Sequence, residues 1–547
     1  MNMETKNTNA ETAAKPSFLS RIKAFFTPER SRRIGKVVGI VVAVLAIVTI
    51  LALSIYSIAA YAPLRVNVDI NAEHQTLGGF GASSAWIYQE LGKAENAAEG
   101  EQAIEMLYGD SGLQLNIFRY NIGGGSKDSV LDDKVPYSND WFDPNRRAES
   151  FFVAENYKAP EDFLDVSNYD FEKDAAVQNL FKQALDKGHI DKVVFFSNSP
   201  HYLMTESGMC TGAYEYQNNL KPEFYQIYSE YLMICVEGLV EKYDLLDKGI
   251  EIWISPVNEP QWKWGGPDAS QEGCHYDPEV LAKFYDVFWN VLTAYNEEHG
   301  TNFRFDAFEC GNYLFEPFDV DVADYLEEMS KYDYFDELGE ISTHTYGAND
   351  SVSARKKFAS FMEKNYPELE VTATEFCEME SGEYDTIESG MFLAKVILRD
   401  LTMIDATEWS WWLSVAAGGY NDGLVYWNGD RDPKVWVLNR YYTMGQITRF
   451  LDPGDVRVES AISDLTGWAG VDIGVFVKPD GTVVAIVVND GGAKDLKLNG
   501  MDKFDGTSVQ VTRTTQTDKW AESDFVFDGS LPLAKDSVTT FVFPAAQ

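Results

Sequence analysis

From Thr76 to Trp412 the chain alternates short runs rich in β-branched and aromatic residues with longer segments of helical periodicity. A parallel sheet demands that rhythm, because each strand must be followed by a crossover that returns the chain to the same edge. The strand candidates are Leu77–Ala82, Gln114–Arg119, Lys192–Asn198, Glu251–Val257, Arg304–Phe308, Glu340–His344, Val371–Glu375 and Ala406–Trp411. Helix candidates between them include Ala175–Leu185, Pro222–Tyr243, Pro278–Glu298, Val352–Asn365 and Glu388–Ile404. Eight strands close a (β/α)8 TIM barrel. An open doubly wound sheet competes, but no Gly-x-Gly-x-x-Gly opens a helix here.

After Trp412 the texture changes to short strands split by turn signals, with Pro479-Asp480-Gly481-Thr482 and Asn489-Asp490-Gly491-Gly492 the clearest turns. This predicts a β-sandwich of about 100 residues. Leu64–Ile70, alternating apolar and polar ahead of the barrel, adds one strand to it. The expected fold class is α/β: a TIM barrel with an associated β-sandwich, preceded by an N-terminal transmembrane or signal segment. The expected boundaries are 1–36 for a basic cytoplasmic segment, 37–62 for the anchor or signal, 63–75 for the sandwich strand, 76–440 for the barrel and 441–547 for the sandwich.

Val37–Ala62 is a run of 26 residues without a charge, preceded by Arg21, Lys23, Arg30, Arg32, Arg33 and Lys36. As a helix it spans about 39 Å, enough to cross a hydrocarbon core of about 30 Å with some tilt. The basic flank places the N-terminus inside and the body outside the cell. Small residues at Ser57, Ala59, Ala60 and Ala62 offer the alternative of a cleaved signal. Either route makes the body extracytoplasmic, held at the cell membrane or secreted.

The formal net charge is −41, and residues 1–62 hold eight Lys or Arg against three Glu, so the acidic excess lies in the body. Such a surface repels polyphosphate backbones, which excludes nucleic acid as a partner. Five cysteines are too scattered for a disulfide framework or a zinc site. Cys210 and Cys274, in Gly-containing loops, either pair outside the cell or remain free buried thiols.

In a parallel barrel the reactive groups sit at the C-terminal ends of strands. The fourth candidate ends in Ser255-Pro256-Val257-Asn258-Glu259-Pro260 and the seventh in Thr374-Glu375-Phe376, so each offers one carboxylate at the mouth. Two facing carboxylates are what glycoside hydrolysis with retention uses: one stays protonated to assist departure, and the other stays ionised to attack the anomeric carbon. Taken singly, each is more often a helix-start carboxylate or an ion-pair partner. Together, at strands four and seven, they point to chemistry.

The sequence resembles glycoside hydrolase family 30 of clan A from about Asn67 to Phe543. The resemblance is carried by Gly79-Phe80-Gly81-Ala82-Ser83, Phe118-Arg119-Tyr120-Asn121-Ile122-Gly123, Ser197-Asn198-Ser199-Pro200, Ser255-Pro256-Val257-Asn258-Glu259-Pro260-Gln261-Trp262, Thr343-His344-Thr345-Tyr346 and Thr374-Glu375-Phe376. It implies a retaining enzyme on β-linked sugars with Glu259 as acid/base and Glu375 as nucleophile. Asn258 suits the sugar 2-hydroxyl, and Arg119 suits the charge of Glu375. His344 and Tyr346 suit the nucleophile's other oxygen. Asn198, Trp262, Trp409 and Trp411 complete the expected substrate-binding set, the tryptophans offering flat apolar faces to sugar C–H bonds. Trp86, Trp264 and Trp412 offer further faces, although some of the strand-eight set must be core. Glu309 and Glu378 lie outside the family motifs and read as supporting or structural.

Within the family, Val257-Asn258-Glu259-Pro260-Gln261-Trp262 followed by Gln271-Glu272-Gly273-Cys274 looks most like the endo-β-1,6-galactanase branch, acting on arabinogalactan side chains. A β-1,6-glucanase or a xylanase is the alternative. Arg431 is the nearest counterpart to a glucuronate clamp, yet it lies in an Asp-rich turn. A membrane-tethered glycan binder on an inactive barrel, or an adhesin, is the reading from another class. The expected partners are a polysaccharide or oligosaccharide and the membrane reached through the N-terminal segment, with the protein a monomer needing no cofactor and no metal.

Overall fold

The computed structural model describes residues 32, 36–37, 40–51, 64–134, 146–213, 215, 217–266, 269–316, 319–463 and 470–545. The chain divides into two units, Met1–Leu64 with Asp464–Ala469, and Arg65–Ser463 with Gly470–Gln547. In the first, residues 40–51 form an exposed helix. Among the described residues no helix is long and apolar enough to cross a membrane, and residues 38–39 and 52–62 of the expected apolar span lie outside them.

The second unit opens with strand β1 (Arg65–Thr76), then the eight expected strands: β2 (Gly79–Ser83), β3 (Ile117–Asn121), β4 (Lys192–Phe196), β5 (Glu251–Ser255), β6 (Arg304–Phe305), β7 (Glu340–His344), β8 (Glu370–Glu375) and β9 (Glu408–Ala416). Parallel pairing runs β9-β2-β3-β4-β5-β6, and β7-β8-β9 returns to the start. Between β6 and β7 the link is Ser342 N–H donating to the Ala307 carbonyl at 2.7 Å, and a single bridge from Cys310 to Thr343. The sheet therefore curls into a TIM-like barrel. Its strands carry nearly unbroken apolar runs because helices cover their outer side.

The helix Ala175–Leu185 shows the reason. Val177, Leu180, Phe181, Ala184 and Leu185 recur at helical spacing and are all buried. The long helix Pro278–His299 starts on a proline and ends at Gly300, whose φ of 66° is the left-handed geometry a C-terminal glycine supplies without strain. At the closed end of the barrel, Ile117, Val194 and Trp253 fill the interior. Beside them Lys192 pairs with Glu408 at 2.8 Å and lies 3.7 Å from the Trp253 ring centre. These residues occupy the early parts of their strands, which leaves the C-terminal ends to open onto the cleft.

After β9 the chain adds β10 (Gly423–Trp427), parallel to β9, and β11 (Val435–Val437), antiparallel to β10. Then come β12 (Val456–Ile462), β13 (Val471–Val477), β14 (Val483–Asn489), β15 (Lys494–Asn499), β16 (Ser508–Thr514), β17 (Ala521–Val526), β18 (Ser530–Leu533) and β19 (Ser537–Phe543). They pair in the order β17-β16-β19-β14-β13-β12-β1-β15-β18. Strand β14 is buried at every residue, so protein covers both of its faces. Val484, Ile486 and Val488 belong to the same apolar cluster as the barrel helices. All five cysteines are free and buried, which removes the Cys210–Cys274 pairing. The Cys210 thiol instead donates to the Gly124 carbonyl at 3.0 Å, and a core this large needs no covalent staple.

Candidate active site

The C-terminal ends of β5, β7 and β8 deliver Glu259, His344 and Glu375 to one point. Glu375 is the last residue of β8 and His344 the last of β7. Glu259 lies four residues past β5 with a φ of 49°, a strained value for a residue with a side chain. Three hydrogen bonds hold it there: its N–H donates to the Glu309 carbonyl at 2.9 Å, and the Glu259 carbonyl accepts from Trp264 Nε1 at 3.0 Å and from Trp262 N–H at 3.3 Å. One oxygen of Glu259, one oxygen of Glu375 and a ring nitrogen of His344 all lie within 4.8 Å of one another.

The two carboxylates differ in their partners. Glu375 accepts from Arg119 Nη1 at 3.1 Å on one oxygen and from the Tyr346 hydroxyl at 3.1 Å on the other. Glu259 Oε1 meets His344 Nδ1 at 3.0 Å, while the same nitrogen is 3.7 Å from Glu375. The imidazole is thus closer to Glu259 than to the carboxylate the sequence reading gave it, because Glu375 is already occupied by arginine and tyrosine. Burial raises the Glu375 carboxyl to about 6 against the opposing charges of His344 and Arg119. Burial disfavours the charged imidazole, but the charge of Glu375, the bond to Glu259 and the nearby carboxylate of Glu309 overcome it and lift His344 to about 10. The imidazole is therefore favoured in its charged form at neutral pH. Three carboxylates, Glu259, Glu309 and Glu375, here face two cations, Arg119 and this imidazole.

Glu259, Tyr346 and Glu375 line a cleft of about 930 Å³. Its walls include Trp86, Trp262, Trp264, Tyr346, Phe376, Tyr384, Trp412 and Tyr420, with Asn258 beside Glu259. Trp262 is 38% exposed, as a face offered to a ligand would be. Asn258 Oδ1 is buried and has no hydrogen-bond partner in the protein. Asn198 does not line the cleft; its Oδ1 accepts from Asn258 Nδ2 at 3.0 Å and fixes that amide.

Trp409 and Trp411 require correction as stacking faces. Both are buried, at 0% and 1% exposure, and neither lines the cleft: Trp409 Nε1 donates to Asp400 on the helix Ile387–Met403 and Trp411 Nε1 to the Asp422 carbonyl in the connection to β10. The irregular register of β9 against β2, where Ala82 faces Trp411 and Ser83 faces Leu413, skips Trp412 and turns it into the cleft. Arg431 is paired with Glu383 at 2.8 Å and lies over Trp436, away from the cleft lining. Glu378 lines the cleft edge and pairs with Arg440 at 3.0 Å.

Sequence reasoning missed Arg146, which lies 4.2 Å over the Trp86 ring, and Asp422 and Tyr420 in the connection from β9 to β10. No spacing signal marks them, since a loop's path sets where they point.

Paired carboxylates at the open end of a parallel barrel, in a cleft walled by aromatic rings, belong to enzymes that break glycosidic bonds, and the protein is an O-glycosyl hydrolase. A family model described as O-glycosyl hydrolase family 30 matches residues 63–426, and the chain belongs to that family. It is 22% identical over 412 residues to an endo-β-1,6-galactanase of Hypocrea rufa, covering 74% of this chain and 78% of that enzyme. A conserved exported protein from Bacteroides fragilis shares the fold with a TM-score of 0.73 at 22% identity, over 87% of this chain and 100% of that one. The catalytic domain of GH30 xylanase C from Talaromyces cellulolyticus does so with a TM-score of 0.64 at 18% identity, over 88% and 100%.

Proposed function

We propose that the protein hydrolyses β-1,6-linked galactan with retention of configuration, using Glu375 as nucleophile and Glu259 as acid/base. The observation that carries this reading is the approach of an oxygen of each carboxylate to within 4.8 Å of the other, the short spacing of retaining pairs and not the wider one of inverting pairs. In the first step Glu375 attacks the anomeric carbon while Glu259 delivers its proton to the departing oxygen. In the second, Glu259 takes a proton from water, which attacks the same carbon and frees Glu375. Arg119 and Tyr346 suit Glu375 to carry negative charge before attack. The unpartnered Asn258 Oδ1 is available to a sugar hydroxyl, and Trp86, Trp262 and Trp412 to the apolar faces of successive rings.

Galactan is favoured by the likeness to a fungal enzyme named for it and by the acidic lining of the cleft, which suits a neutral polymer. We further infer that the basic flank and apolar run at the N-terminus carry the body outside the cell, anchored or secreted. Protease shaving of intact cells tests that placement. The test of function is product analysis on β-1,6-galactan, β-1,6-glucan and xylan, with the anomer formed first followed by proton NMR. Galactan cleavage with a β-configured first product is expected; an α-configured first product refutes the mechanism.

A further inference from the structure

One buried acid near the site has no part in the steps above. Glu309 follows β6, is 0% exposed and does not line the cleft. Its backbone is pinned from both sides: its N–H donates to Ser342 Oγ at 3.0 Å and its carbonyl accepts from Glu259 N–H at 2.9 Å. Its φ of 45° is left-handed, the same strained region Glu259 occupies. Glu309 Oε2 accepts from Arg119 Nη2 at 2.6 Å and lies 3.5 Å from His344 Nε2. Each member of the reacting pair thus reaches Glu309 through one intermediary, Glu375 through Arg119 and Glu259 through His344.

The geometry points to Glu309 as a positioning residue that sets the protonation of the catalytic pair, holding Arg119 toward Glu375 and keeping a proton on the imidazole beside Glu259. The inference rests on the two-carboxylate mechanism proposed above. A buried carboxylate without a cationic partner would be neutral. Burial does raise Glu309, but Arg119 and His344 outweigh that and hold it below the ordinary carboxylate range. The charged or titratable groups facing Glu309 and its partners are Arg119 from β3, Glu259 after β5, Asp306 and Cys310 flanking Glu309, Tyr285 from the helix Pro278–His299, His344 at the end of β7, Tyr346 after it, and Glu375 on β8. Arg119 and His344 are the cations among them. Neutralising Glu309 therefore acts on two groups in a defined direction. Arg119 is left with Glu375 as its anionic partner, which favours the ionised nucleophile. His344 loses a facing negative charge, which weakens its hold on the proton.

Glu309→Gln should consequently move both limbs of the kcat/KM–pH profile to lower pH by about one unit, and Glu309→Asp should restore the wild-type limbs at least in part. Lowered activity at every pH with unmoved limbs, in a variant whose thermal transition is intact, overturns the inference. If Glu309→Gln does not fold, NMR titration of the six histidines of the wild-type enzyme decides: His344 is expected to stay protonated through pH 8, and a neutral His344 ring at pH 7 overturns the inference. Glu259→Ala and Glu375→Ala are measured alongside. Full activity in either refutes the mechanism itself; inactivity in both with unmoved Glu309→Gln limbs refutes the role of Glu309 alone.

Discussion

Tyr346→Phe isolates one of the two donors that favour the charged form of Glu375. The lost bond runs from a protein hydroxyl to a carboxylate at 3.1 Å in a buried site, with Arg119 left as the remaining donor. A hydrogen bond to a charged group contributes about 1.5–3 kcal/mol, which corresponds to about 1–2 pKa units at about 1.4 kcal/mol per unit. The Glu375 carboxyl, raised to about 6 by burial against its cationic neighbours, should rise further in the variant. The nucleophile acts ionised, so activity grows as pH climbs through this pKa, and the acid limb should move up by about 1–2 units. Protonation alone then lowers kcat/KM at neutral pH by about 2-fold to 10-fold, and alkaline pH recovers that part. The assay is kcat/KM against pH on an aryl β-galactoside, wild type beside variant. An acid limb that stays in place, or moves down, refutes the assignment of the Tyr346 bond to the nucleophile.

The two strand-nine tryptophan environments separate cleanly by assay. Trp412→Ala should raise KM on polysaccharide where Trp409→Ala leaves it unchanged, and both truncations of buried rings should destabilise by about 3–5 kcal/mol in denaturant unfolding. Equal KM effects from both would contradict the placement of Trp409 outside the cleft lining. At the closed end of the barrel, Lys192→Met leaves Glu408 without its buried cation and should cost about 3–5 kcal/mol. Its kcat should be unchanged wherever the variant is folded, because the pair sits at the far end of the strands from the cleft. A kcat loss in fully folded Lys192→Met would contradict that separation.

The barrel strands were legible because both faces of each are covered, so apolar runs stand out between amphipathic helices. Strand β17 was not, since Ala521-Glu522-Ser523-Asp524-Phe525-Val526 is an edge strand with little buried surface and no apolar alternation. Alternation along β9 put Trp409 and Trp411 on one side and Trp412 on the other. It could not say which side is the cleft, and that depends on an irregular register with β2 that no local pattern encodes. Glu259 and Glu375 were visible as strand-end carboxylates, but the partner of His344 was not. Which of two nearby oxygens an imidazole meets follows from Arg119 and Tyr346 having already taken Glu375, a long-range outcome of the closed ring. Arg146 and Asp422 lie on loops whose direction is fixed by the tertiary fold.

The most direct test is to trap the covalent species. Incubation with an activated 2-deoxy-2-fluoro-β-galactoside, followed by proteolysis and mass spectrometry, should find one fluorosugar per chain on the peptide that carries Glu375. Label on another carboxylate, or steady turnover with inversion and no adduct, would contradict the account.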